Sequence, residues 1–175
     1  DGFVPSPEWK EEYKNEDWYI GDTYHFAIGQ GDMLVTPLQV AEYTAFFANG
    51  GKLYVPHLLK ERHNDQLNIH EKFTPIVIRN NIISKEGIDI IRKALLLTVT
   101  KGSGKALENL PMTVAGKTGT TQWKLDEKPH AWWTCFTPYK NPELVVTIFI
   151  EEGEEGTKIS VPIAKEFLNW WWYNK

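Results

Sequence analysis

Three candidate strands in the second half of the chain, Thr113 to Thr121, Ala131 to Pro138 and Leu144 to Glu151, limit the fold more than any other feature. Each has the length and residue types of a strand. The segment Tyr139-Lys140-Asn141-Pro142-Glu143 is a turn sequence joining the last two. A parallel crossover needs a dozen or more connecting residues, so strands joined this closely pair antiparallel. A sheet of this kind must bury at least one face against something else.

Helices are the expected cover. Thr36 offers a capping oxygen and Pro37 suits a first helical position, while Leu38, Ala41, Ala45 and Ala48 recur at helical spacing until Gly50-Gly51 stops them. Ser84 caps a second expected helix, with Ile88, Ile91, Leu95 and Thr98 or Val99 on one face and Gly102 and Gly104 at its end. A third, from Val161 to about Trp172, is expected to turn Ile163, Phe167 and Trp170 or Trp171 inward. Trp170, Trp171 and Trp172 cannot all face one side, so at least one is expected to be exposed. Leu53 to Arg62 and Leu67 to Ile78 read as an extended hairpin turning at Asn64-Asp65, and the stretch before Thr36 reads as ordered loop anchored by aromatics. The fold class is α+β: an antiparallel sheet flanked by helices, with the C-terminal helix packed on it.

With 42% apolar and 13% aromatic residues, the chain can fill a core, which argues against disorder. A net charge of -4, with no local run of Lys and Arg, argues against nucleic acid as a partner. No stretch is long and apolar enough to span a bilayer, so the piece is expected to be soluble. Cys135 is the only cysteine and forms no internal disulfide.

The sharpest chemical signal is Ala115-Gly116-Lys117-Thr118-Gly119-Thr120-Thr121-Gln122. Lys117 supplies positive charge, Thr118 and Thr120 supply hydroxyl donors on the same face by period-two alternation, and Gly119 lets a ligand approach the backbone. The expectation is that Lys117, Thr118 and Thr120 share one face of an exposed edge and bind a carboxylate. The N–H of Thr120, just past the glycine, is placed to face a developing oxyanion. Lys-Thr-Gly alone is a weak motif, and its context must carry the weight.

That context resembles the penicillin-binding protein transpeptidase family, most closely its elongation-type members, penicillin-binding protein 2. Four segments carry the resemblance in order: Pro7-Glu8-Trp9 with Trp18 to Thr23; Ile28-Gly29-Gln30-Gly31 followed by Thr36-Pro37-Leu38-Gln39; Ala115 to Thr120; and His130-Ala131-Trp132-Trp133 through Ile150 to Gly153. The resemblance implies a serine β-lactamase-like fold and a D,D-transpeptidase that is acylated by β-lactams and uses no cofactor. Within it, Lys117 and Thr120 are catalytic, and Thr118, Gly119, Thr120, Thr121 and Gln122 bind substrate. His130 and Trp123 stand behind them, His130 ordering the loop that carries Trp123. Asp22 and Gly29-Gln30-Gly31 are scaffold that braces the cleft from outside.

The family also needs Ser-x-x-Lys and Ser-x-Asn. The four serines here, Ser6, Ser84, Ser103 and Ser160, are followed three positions on by Trp9, Gly87, Ala106 and Ile163, and two positions on by Glu8, Glu86, Lys105 and Pro162. Neither motif is present. Residues 1–175 are therefore read as the C-terminal portion of such a domain, inactive alone, whose upstream part carries the nucleophile. The partners implied are a stem peptide ending in D-Ala-D-Ala, β-lactams, the missing upstream part and a membrane glycosyltransferase of the elongation machinery. The parent would sit at the extracytoplasmic face of the cytoplasmic membrane, anchored by an upstream helix. A β-lactamase or D,D-carboxypeptidase, and a non-catalytic sensor module binding through the same wall, are the alternatives. His57, His63 and His70 are too loosely spaced to read as a metal site, so no metal is expected.

Overall fold

The computed structural model describes residues 1–64, 69–124 and 126–175. At its centre is a three-stranded antiparallel sheet, formed by β5 (Ala115–Thr121), β6 (His130–Thr137) and β7 (Leu144–Ile150) in that order. Lys117 lies opposite Thr134 and Thr121 opposite His130, while Cys135 faces Val146 on the other side. The middle strand is the most buried, as its apolar sequence requires.

The sheet is covered on both faces. One face meets α5 (Ser160–Asn174) and the short 3₁₀ turn Lys105–Leu107, around Trp133, Cys135, Val161, Ala164 and Leu168. On the other, Ala115 and Phe136 meet Ala48 of α3 (Pro37–Ala48), together with Leu95 and Leu96 of α4 (Lys85–Lys101). Both α3 and α4 begin where their caps predict. Gln39 N–H donates to Thr36 Oγ1 at 3.2 Å and Gly87 N–H to Ser84 Oγ at 3.1 Å. Arg92 then ties α4 to its neighbours, donating to the Phe47 carbonyl at 2.9 Å, to the Ala48 carbonyl, and to the Tyr139 carbonyl at 2.5 Å. These include helix-end carbonyls of α3, which have no partner inside the helix.

Three expectations need correction. The stretch before Thr36 is not loop: it folds as α1 (Pro7–Lys14) and α2 (Ile20–Ala27). Both helices are only eight residues long, too short for a sustained period, and capping marks them: Trp9 N–H donates to Ser6 Oγ, and Tyr19 N–H to Asp22 Oδ2. Buried Lys10 joins the two by donating to Asp22 Oδ2 at 2.7 Å.

The expected long hairpin is two short ones in series. Strand β1 (Lys52–Tyr54) pairs with β4 (Val77–Asn80), and β2 (Glu61–Asn64) with β3 (Ile69–Lys72). Pro56 and Pro75, which have no N–H for a ladder, fall in the interval between the two pairs. Asn64 ends β2, and Asp65, the other half of the expected turn, lies outside the described residues.

The C-terminal helix presents a different face from the expected one. Val161, Ala164 and Leu168 are fully buried, whereas Ile163, Phe167 and Trp170 are 42%, 39% and 60% exposed. Both stripes have helical spacing. Small Ala164 is fully buried in the cluster with Trp133 and Cys135, a close-packed position that a bulkier side chain would wedge open. Trp171 and Trp172 pack on that core and Trp170 is the exposed member of the three.

Candidate functional site

The free edge of the sheet is β5, since among the described residues only β6 pairs with it. A strand residue points its N–H and C=O to the same side, and successive residues alternate. The Thr118 and Thr120 carbonyls are both engaged by side chains outside the ladder: Lys117 Nζ donates to the first at 2.6 Å and Gln30 Nε2 to the second at 2.9 Å. The Thr120 N–H shares that outward side. The edge opens on a cleft of about 510 Å³, walled on one side by Lys117 to Thr121 and on the other by residues of α2, α3 and α4, with Gln30 between them.

Side-chain direction corrects the sequence reading. Alternation in β5 sends Lys117 to the face shared with Thr134 and Thr44, and Thr118 and Thr120 to the opposite face. The three functional groups do not share one face; they flank one edge from above and below. Thr118 Oγ1 bonds Ser103 Oγ at 2.7 Å, an interaction the sequence did not suggest. A hydroxyl has one donor and two acceptor sites, so Thr118 can take this bond and still donate.

Two glycines are required by packing. A Cβ on Gly116 would stand 2.5 Å from the Thr134 carbonyl oxygen and 2.6 Å from the Trp133 ring. On Gly119 it would meet the Trp132 Cβ at 3.1 Å. Large neighbours on β6 thus set the small residues around Lys117.

Beneath the lysine face runs a chain of hydroxyls. Thr44 Oγ1 donates to the Val40 carbonyl at 2.7 Å and shares a 2.8 Å bond with Thr134 Oγ1, which shares another of 2.9 Å with Thr147. Buried polar groups at this depth need partners, and each finds one.

At the far end of β5, Gln122 spends its amide donors on the Lys124 and Glu127 carbonyls, at 2.6 and 2.8 Å. The Trp123 indole N–H donates to the Lys128 carbonyl at 3.1 Å, and its ring stacks on His130 with centroids 5.4 Å apart. His130 Nδ1 accepts the Glu152 N–H at 3.1 Å. The loop between β5 and β6 and the acidic loop after β7 are therefore joined through one imidazole. Asp22 and Gln30 were both read as scaffold. Among the described residues the Asp22 carboxylate accepts hydrogen bonds from Lys10 and the Tyr19 N–H, whereas Gln30 reaches the edge strand itself.

Among the described residues, a cationic side chain, flanking hydroxyls and a free strand edge thus lie together beside a largely apolar cleft of an α+β domain. The chain belongs to the penicillin-binding protein transpeptidase domain family, whose sequence profile matches residues 4–169. It is 33% identical to the peptidoglycan D,D-transpeptidase MrdA of Haemophilus influenzae over 96% of this chain and 28% of that protein. The MrdA of Escherichia coli is 28% identical over 90% of this chain and 28% of its own length. Among solved structures, penicillin-binding protein 2 of Helicobacter pylori in complex with MreC superposes with a TM-score of 0.76, at 35% identity over 94% of this chain and 29% of that one. Pseudomonas aeruginosa penicillin-binding protein 2 in complex with WCK 5153 gives 0.80, at 29% identity over 98% and 38%. The chain thus spans less than a third of the length of the curated relatives it matches, 27% to 30% for the first four. No helix among the described residues is long and apolar enough to cross a membrane.

Proposed function

We propose that residues 1–175 are the C-terminal portion of a peptidoglycan D,D-transpeptidase domain, supplying the Lys-Thr-Gly wall of a site whose serine nucleophile lies on an upstream part. The observation that carries this reading is the outward side of β5, where Lys117, Thr118 and Thr120 border the cleft. Large side chains left exposed on α2, such as Ile20 at 68%, fit surface made to meet further protein.

In this reading the C-terminal carboxylate of a stem peptide ending in D-Ala-D-Ala binds the Thr118 and Thr120 hydroxyls, while Lys117 stabilises negative charge. The peptide lies extended along β5, past Gly119. The serine attacks the penultimate carbonyl, and the oxyanion meets the Thr120 N–H and the nucleophile's own N–H. D-Alanine leaves, and an acceptor amine takes the acyl group. A β-lactam enters the same way, its carboxylate on the same hydroxyls. Thr121 borders the substrate, whereas Gln122, read from the sequence as a substrate contact, lies outside the cleft lining and with His130 and Trp123 holds the loop beside it. No step needs a cofactor. The parent works at the extracytoplasmic face of the membrane beside a glycosyltransferase of the elongation machinery, and the complex of its Helicobacter relative with MreC fits that setting.

Fluorescent penicillin separates the parts. The isolated chain is expected to stay unlabelled after denaturing electrophoresis, because the wall cannot replace the nucleophile and its base. The same chain joined to its upstream part is expected to be labelled. A covalent adduct on the isolated chain, or none on the joined protein, would overturn the proposal.

A further inference from the structure

The β2–β3 hairpin carries a group of side chains that has no part in the cleft. His63 and His70 are direct cross-strand partners, and Glu61 lies two residues before His63 on the same face. The imidazoles stack with centroids 4.3 Å apart. Both turn Nε2 to one carboxylate, His63 at 3.2 Å from Oε1 and His70 at 3.4 Å from Oε2 of Glu61. One donor atom from each residue lies within 4.8 Å of the others. Separation along the chain concealed this, and antiparallel register restores it.

We propose that Glu61, His63 and His70 form a binding site for a divalent transition-metal cation of the Zn²⁺ type, clasping β2 to β3. Ligand distances of about 2.0–2.2 Å place neighbouring donors of a tetrahedral Zn²⁺ site roughly 3.3–3.5 Å apart. The two nitrogen-to-oxygen separations here, 3.2 and 3.4 Å, are close to that spacing, one to each oxygen of Glu61, so a small turn of the carboxylate offers a single oxygen to the ion. Two imidazoles and a carboxylate select a borderline metal over Ca²⁺ or Mg²⁺, which prefer all-oxygen sites. Water fills the fourth position.

Among the described residues no other side chain is seen on the three donors. On the opposite face of the hairpin Arg62 and Glu71 pair at 2.7 Å, turned away from them. Lys72, across from Glu61, is exposed and can extend into solvent. His57 stands apart, its ring against Phe73 at 3.9 Å. Cys135, the one thiol, is buried in the sheet.

The test is calorimetric titration of the whole 175-residue chain with ZnCl₂, paired with visible absorption on adding Co²⁺. The expected result is one equivalent bound per monomer, with the intense absorption of tetrahedral Co²⁺. His63→Ala and His70→Ala should each weaken binding by about tenfold or more, and the double variant should lose it. Arg62→Ala should leave it unchanged. His63→Gln and His70→Gln keep the hairpin polar and should behave as the alanine variants do, with circular dichroism and melting unchanged in the metal-free state. Absence of saturable binding by the unaltered chain would overturn the proposal. So would undiminished binding by the double variant, or one ion shared between two chains with Zn²⁺-dependent dimerisation.

Discussion

The side-chain amide of Gln30 donates a 2.9 Å hydrogen bond to the main-chain carbonyl of Thr120. The two residues lie ninety positions apart in sequence, and this bond spans the cleft from the segment after α2 to the sheet edge. It holds β5 at the residue whose N–H the proposed reaction uses. Removing it by Gln30→Ala forfeits about 1 kcal/mol of positioning, so acylation of the joined protein by penicillin should slow by about fivefold. Stopped-flow acylation measures this. A faster rate would mean that Gln30 competes with ligand for the carbonyl instead of steadying the strand.

Lys117 reaches the Thr118 carbonyl at 2.6 Å on the same edge. In the joined protein Lys117→Ala should slow acylation by about 10²–10³, the magnitude typical of losing one electrostatic stabiliser. Unchanged acylation kinetics would remove Lys117 from the mechanism.

The hydroxyl chain under that face predicts a stability effect separate from chemistry. Thr134→Val breaks the bonds to Thr44 and Thr147. Thr44 keeps the Val40 carbonyl, while half-buried Thr147 loses its side-chain bond. The expected loss is about 1–2 kcal/mol in urea unfolding, and no loss would show the chain to be dispensable.

Cys135 should be inert while the chain is folded. Burial pushes its thiol up to about 12, above the range where thiolate forms in ordinary buffers. Iodoacetamide at pH 8 should modify it only in denaturant, as mass spectrometry would show. Rapid labelling of native chain would contradict the buried position.

The Lys10–Asp22 pair sets a dependence on acid. The hydrogen bond from Lys10, then that from the Tyr19 N–H, holds the Asp22 carboxyl below its usual 3.8. Its contribution is therefore complete above the ordinary carboxylate range and lost as pH falls through the lowered value. The hydrogen bond to Asp22 chiefly raises Lys10 above 10.5, so its share is present below that and lost as pH rises further. Asp22→Asn should flatten the acid limb of the stability profile. An identical limb in both proteins would assign it to other carboxylates.

What the sequence reveals follows from how local each signal is. The caps at Thr36 and Ser84, the apolar runs of β6 and β7 and the Thr-rich run of β5 depend on neighbours in sequence, and those elements lie where the sequence places them. Helices α1 and α2 are each eight residues long, too short for a period to stand out, so their only signals are the caps at Ser6-Pro7 and Asp22. Which stripe of α5 turns inward depends on the fit of Ala164 to the sheet, which spacing alone does not contain. At the site, Lys117, Thr118 and Thr120 are recognisable as a motif. The bonds to Gln30 and Ser103 come from segments brought together only by folding.

The crowding at Gly116 has a consequence for how such a protein can change under selection. With a carbonyl oxygen, an indole ring and the Cys135 Cβ all within 2.7 Å of where a side chain would begin, even alanine would force β5 away from β6. Under the proposed function, substitutions that change β-lactam binding are expected at the open rim, at positions such as Thr121 or in the loop beyond it, and not at Gly116.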